Sequence, residues 1–187
     1  MAAGNPERIL AACAACIAEH GVRGLRVTDV AKRAGVSSGL LYYHFEDRDG
    51  LLAATLEYVN ATSLASRQGQ EATGEQAAAE ITRRLLAEID EDPEVRGNSI
   101  VWNEIRAIAV FEQTLAGHLA NSTSAWQGVI RDLVTGHGVT DPAVAERSAL
   151  LLTALVEGLS GRWLSGQISA AEAREALESG ISALLST

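Results

Sequence analysis

The chain has 187 residues, of which 47% are hydrophobic, 21% charged and 4% aromatic, with a formal net charge of −9. This composition supports a sizeable core and excludes a disordered chain, and the negative charge excludes a protein that coats nucleic acid over its whole surface. No apolar run is long enough to span a membrane, and the acidic Glu7 and Glu19 flank the apolar part of the N-terminus, so neither a membrane helix nor a signal peptide is expected and a cytoplasmic location follows.

Heavy use of Ala and only three Pro predict an all-α fold of about nine helices. Asn5-Pro6 opens the first helix, with Pro at a permitted first-turn position, and His20-Gly21 closes it. Thr28 is the expected N-cap of a short second helix that Gly35 stops, and Ser37 caps a third through Ser38–His44. Asp47 caps a long fourth helix from Arg48 to about Arg67, in which Gly50 costs about 1 kcal/mol of propensity. The small, polar stretch Gln68–Gly74 reads as a loop before a fifth helix over Glu75–Asp90. Asp92-Pro93 starts a sixth, weakened near Gly97 and broken near Val110–Glu112. The seventh carries Leu115, Leu119, Trp126, Ile130 and Leu133 and ends at Gly136-His137-Gly138. Asp141-Pro142 starts a long eighth helix that ends at Gly166, and Ser169 caps the ninth, with Glu172 completing a capping box.

Charge is unevenly distributed. Residues 7–45 carry Arg8, Arg23, Arg26, Lys32 and Arg33 against Glu7, Glu19 and Asp29, whereas residues 46–187 carry ten basic and twenty-one acidic side chains. An acidic body with a mildly basic N-terminal segment fits a small DNA-reading head on a core that does not bind DNA. Cys13 and Cys16 form a C-x-x-C. Zinc requires about four ligands, and His20 leaves the set short; a thioredoxin-like motif belongs in a βαβ unit, which this chain lacks. Ile9, Cys13, Cys16, Ile17 and His20 fall on one helical stripe, so the thiols are expected to be structural. No metal and no cofactor is expected.

The strongest signal is Thr28-Asp-Val-Ala-Lys-Arg-Ala-Gly35-Val-Ser-Ser38-Gly-Leu-Leu-Tyr-Tyr-His-Phe45, two short helices joined through Gly-Val-Ser. This is the layout of a helix-turn-helix. Ala31 is small where the helices cross, Gly35 suits the left-handed turn, and Val30, Ala34, Val36, Leu41 and Phe45 face inward. Ser38, Leu40, Tyr42, Tyr43 and His44 are left outside or at the edge. From Arg8 to Leu52, about a quarter of the chain, the sequence resembles the DNA-binding head of the tetracycline-repressor (TetR) family. The matching pieces are Ile9-Leu-Ala-Ala12, Gly21, Val27-Thr28, Val30-Ala31, Ala34-Gly-Val-Ser37, Leu41-Tyr-Tyr-His-Phe45, Arg48 and Leu51-Leu52. Cys16-Ile17 stands where the family often has Leu-Phe, and Gly50 where Glu is common. More loosely, Trp102 to Val134 and Leu155-Val-Glu-Gly-Leu159 are similar to the choline- and betaine-pathway repressors of that family.

The resemblance implies a DNA-binding domain over 1–47 and a ligand-binding and dimerisation domain over 48–187. It implies that Thr28 and Ser37 donate hydroxyls to phosphates, that Tyr43, His44 and Arg48 grip the backbone, and that Ser38, Gly39, Leu40 and Tyr42 lie at base edges in the major groove. The recognition helix has no Arg, Asn or Gln for a bidentate base contact, so specificity is expected to lean on Tyr42, on Arg26 and on DNA shape, with Leu40 able to pack on a thymine methyl. His44 has the alternative of a hydrogen bond within the head. One short recognition helix calls for a homodimer on palindromic double-stranded DNA. Leu151, Leu155, Leu159 and Trp163 form an apolar stripe on the eighth helix, and Gly158 permits close approach, so these five are the expected dimer interface. Trp102, Asn103, Glu104, Phe111 and Trp126 are the expected lining of a small-molecule pocket, and Glu104 beside tryptophans would favour a cationic ligand. The resulting expectation is a ligand-responsive dimeric regulator, a repressor released from its operator by a small-molecule effector. The alternative is a dimeric DNA-binding regulator without an inducer. An enzyme lacks support, because no metal spacing, phosphate loop or nucleophile–base pair is evident.

Overall fold

The computed structural model describes residues 5–65 and 72–186, and nine helices account for all the regular structure among them. They are α1 (Asn5–Gly24), α2 (Val27–Ala34), α3 (Ser38–Phe45), α4 (Arg48–Ala65), α5 (Glu75–Leu86), α6 (Pro93–Ala109), α7 (Gln113–His137), α8 (Pro142–Leu164) and α9 (Ala170–Leu185). No helix is long and apolar enough to cross a membrane among the described residues. Most of the segment expected as a loop, and the expected end of α4 at Arg67, lie outside the described residues. The chain packs as two units, one comprising Met1–Ser66 with Ile100–Ser122 and the other Arg67–Ser99 with Thr123–Thr187.

In the first unit, α1 packs against α2 and α4 around Ile9, Cys13, Ile17, Leu41, Leu52 and Leu56, each fully buried or nearly so. Burying a side chain of that size stabilises by about 1.5–3 kcal/mol. The later stretch of α6 supplies Val101 and Ile105 to this core and α7 supplies Leu115. Gly21 ends the first helical run, as expected, at φ 66° and ψ 167°, and a short further helical stretch follows the kink to Gly24. One local detail differs from the sequence expectation. The N-cap of α2 is Arg26, not Thr28, and its side chain makes no cap bond; Thr28 lies inside the first turn. Here the chain enters α2 two residues earlier, because the Arg26 carbonyl already accepts from Asp29 and Val30.

In the second unit, α9 packs against α8 and α5 over Ile81, Leu85, Leu152, Val156, Leu177 and Ile181. The expected caps form: Asp141 Oδ1 accepts from the Ala143 and Val144 amides, and Ser169 and Glu172 make a full capping box. α5 ends at Leu86 and not at Asp90. The released carbonyls of Leu86 and Ile89 accept from Arg174 Nη1 at 2.7 and 2.8 Å, a cation satisfying helix-end acceptors. α6 runs through Gly97 without interruption, and the expected break falls at Val110–Glu112.

Gly50 illustrates why propensity alone misleads. It sits in the first turn of α4, its amide held by Asp47 Oδ1 at 2.8 Å, and a Cβ there would collide with the Phe45 carbonyl oxygen. Gly50→Ala should therefore destabilise the fold by about 1–3 kcal/mol although Ala is the better helix former. Urea denaturation measures this, and a stabilised variant would show that the α3–α4 corner relaxes freely.

Candidate nucleic-acid interface

The α2–α3 corner is built by backbone rules. Gly35 takes the left-handed conformation at φ 66°, and the Val36 amide donates back to the Ala31 carbonyl at 3.0 Å, closing α2. Ser37 Oγ accepts from the Leu40 amide at 3.1 Å and starts α3. That bond uses the hydroxyl as acceptor and leaves its proton free to donate. Leu41 is fully buried and fixes the inward face of α3, which puts Tyr42 (46% exposed) and Tyr43 (80% exposed) outside. Both rings therefore stand at the surface, away from the buried face of Leu41. Gly39 is exposed, and Ser38 and Leu40 are half-buried at the same edge. The His44 ring stands edge-on to Tyr43, centroids 5.3 Å apart, and lies 6.0 Å from the Phe45 ring. Arg26 and Thr28 are exposed at the start of α2. Arg33 is engaged with Glu19 at 2.7 Å.

Arg48 is half-buried and partly committed inside the head, where its Nη2 donates to the Val22 carbonyl at 2.7 Å. Arg8 likewise donates to the Ala34 carbonyl at the end of α2. Neither bond was visible in the sequence, because the partners are 26 positions apart and backbone carbonyls carry no sequence signal.

Several residues expected elsewhere have other duties. One oxygen of the Glu104 carboxylate is committed within the chain: Oε2 accepts from the Val22 amide at 2.7 Å. Trp102 is half-buried against the first unit's core, and the Arg106 guanidinium lies 6.0 Å from its ring centroid, on the face a cationic ligand would need. Asn103 is half-buried on the same helix. Phe111 is 82% exposed on the α6–α7 turn. In the second unit Trp126 is buried and its indole N–H has no hydrogen-bond partner. On α8, Leu151 is 47% exposed, Leu155 and Leu159 are half-buried and Gly158 opens onto free space. Trp163 departs from the expected interface: it is buried, and its indole N–H donates to Glu91 Oε1 at 3.0 Å, so it serves the core of its own chain.

Two sequence families match. Residues 9–55 match "Bacterial regulatory proteins, tetR family", and residues 77–186 match "BetI-type transcriptional repressor, C-terminal". The chain belongs to the TetR family, in its BetI branch. It is a transcriptional regulator with a DNA-binding domain, not an enzyme. The HTH-type transcriptional regulator BetI of Burkholderia thailandensis is 27% identical over 155 residues, spanning 82% of this chain and 76% of that one. A Rhodococcus crystal structure assigned to the TetR family is 47% identical, covers 97% of this chain and 98% of that chain, and superposes with a TM-score of 0.86. A Saccharomonospora viridis regulator crystallised in complex with choline has the same fold at 19% identity, with a TM-score of 0.78 and 95% of each chain covered.

The TetR-family head also decides the status of its two thiols. Cys13 and Cys16 are both free and buried, and burial pushes the Cys13 thiol up to about 11 and raises that of Cys16. At neutral pH both are protonated, the unreactive form of a thiol.

Base choice and backbone affinity should separate on this face. Tyr42→Ala should change which bases are preferred in DNA selected from a random pool. Arg48→Ala should weaken all sequences alike and reduce the salt slope by about one. Loss of its bond to Val22 should also lower stability, by about 1–2 kcal/mol. Identical selected sequences and salt slopes in the two variants would refute this division.

Proposed function

We propose that this TetR-family chain works as a cytoplasmic homodimeric repressor that reads a palindromic operator and is released by a small-molecule effector. In this reading residues 1–47 are the DNA-binding head and 48–187 the effector-binding and dimerisation body. The observation that carries it is the capped α3, with Leu41 buried and Tyr42 and Tyr43 turned outward. Ser38, Gly39, Leu40 and Tyr42 meet base edges; Thr28, Ser37, Tyr43, His44 and Arg48 hold the backbone; Arg26 reaches from the start of α2. One eight-residue recognition helix offers few base contacts, and pairing two heads doubles them on a two-fold site.

The exposed apolar face of α8 supports the dimer. Val144, Leu150 and Leu151 are each more than 40% exposed, and Leu155, Gly158 and Leu159 continue the face. Leu151→Glu with Leu159→Glu should give folded monomers by sedimentation and circular dichroism, with operator affinity reduced at least tenfold. A variant that stays dimeric refutes this interface.

The effector class is inferred from the BetI-type body and from the choline held by a protein of the same fold. A quaternary ammonium compound is the proposed effector, with Trp126 the aromatic residue retained for its site; Trp102 faces Arg106, Glu104 Oε2 accepts from Val22, Asn103 is half-buried and Phe111 is exposed. Cation–π attraction to tryptophan contributes up to about 2 kcal/mol when desolvated. Choline should raise the melting temperature and weaken operator binding, because a ligand favouring one state must disfavour the other. An unchanged melting temperature and unchanged operator affinity at millimolar choline would contradict this effector class, in favour of a body that only dimerises.

A further inference from the structure

We infer that Glu104 is a positioning residue for DNA binding, through which α6 sets the pose of the helix-turn-helix. The inference rests on the reading of α2–α3 as the DNA-binding face. Three groups converge on the peptide groups of Val22, which is fully buried just after the Gly21 kink. From α6, Glu104 Oε2 accepts from the Val22 amide at 2.7 Å. From α4, Arg48 Nη2 donates to the Val22 carbonyl at 2.7 Å, and the Leu25 amide donates to the same oxygen at 3.2 Å. Both polar groups of this residue are therefore held by charged side chains from helices that lie outside the α2–α3 motif.

The kink makes the arrangement necessary. At φ 66° and ψ 167° Gly21 leaves the helical path, so the following amide loses its intrahelical acceptor. A Cβ on residue 21 would lie 2.9 Å from Glu104 Oε2, so glycine is also what lets the carboxylate approach. Only four residues separate this point from α2, whose first residue is Val27. A shift of Glu104 along or about the α6 axis therefore moves the root of the helix-turn-helix. Arg48, offered above as a phosphate contact, is tethered to the same peptide, so one displacement changes both the pose of α3 and the reach of Arg48.

Reach and charge are separable at residue 104. Gln keeps an oxygen acceptor at the same length without the charge, whereas Asp keeps the charge but is one methylene too short. The experiment compares wild type, Glu104→Gln, Glu104→Asp and Glu104→Ala for affinity to DNA selected with wild type, affinity to random DNA, and amide exchange at Val22. Glu104→Gln should stay within about threefold of wild type, and Glu104→Asp and Glu104→Ala should lose at least tenfold in selected-sequence affinity. Affinity for random DNA should fall less than affinity for the selected sequence, and the salt slope by no more than about the one unit assigned to Arg48, because residue 104 itself neutralises no phosphate. Val22 exchange should be faster in the Asp and Ala variants only. If Glu104→Ala fails to fold, the order of the Gln and Asp variants still decides. Asp equal to wild type, or Gln as weak as Asp, overturns the inference. Equal Val22 exchange in all variants overturns it whether or not wild type selects a DNA sequence, which keeps its failure distinct from failure of the DNA-binding reading.

Discussion

A buried peptide group must find a partner, and in this head that constraint falls on Val22. The chain turns out of its first helix at Gly21, where the residue's conformation is closed to side-chain-bearing residues, and the next amide and carbonyl point into the interior. Leaving either unpaired costs about 1–3 kcal/mol, a large part of the stability of a domain of this size. Glu104 and Arg48 supply the two partners, and with them the head is tied to α6 and α4. Arg8 treats the far end of α2 in the same manner by taking the Ala34 carbonyl. Helix α2 is thus held ahead of its start and at its end by charged side chains acting on backbone, while Val30, Ala34 and Leu41 of the motif are buried.

This construction separates holding from reading. Glu104 and Arg48 are half-buried and Arg8 reaches the corner from an exposed position on α1, so none of the three occupies the outward face of α3. What it carries is two tyrosines, a leucine and small polar groups, with no side chain suited to a bidentate base contact. Such a face has modest discrimination per base pair, which suits a regulator that combines two heads and draws on DNA shape. The same economy governs α8. Leu152 and Val156 belong to the core of the second unit, whereas Leu151 remains exposed one residue earlier, so the helix is apolar over a wider arc than its own unit covers.

Much of this was legible in the sequence, and the parts that were not share one cause. Caps and breaks are local: Ser37, Asp47, Asp141 and the Ser169–Glu172 box each act within three residues, and the Val110–Glu112 interruption likewise declares itself. The α3 face follows from spacing alone. The hydrogen bonds of Glu104 and Trp163 carry no sequence signal because their partners, Val22 and Glu91, are 82 and 72 positions away. A glutamate two residues from a tryptophan suggests a cation site, yet the tertiary fold assigns its carboxylate to a backbone amide. An indole on an apolar stripe suggests an interface, yet its N–H can seek a carboxylate in its own chain. Gly50 failed in the opposite direction: its cost in helix propensity was visible, and the Phe45 carbonyl that excludes a larger residue was not. Thr28 shows the limit of capping rules, since a good capping residue two positions into a helix cannot cap it.

The central claim is that α3 presents a sequence-reading face used in pairs. The direct measurement is selection of DNA by the purified full chain from a random double-stranded pool, followed by sequencing of the bound fraction. The account predicts an enriched palindrome of two inverted half-sites, bound by two chains per duplex. Enrichment of a single unrepeated half-site bound by one chain, or no enrichment over the starting pool, would contradict it.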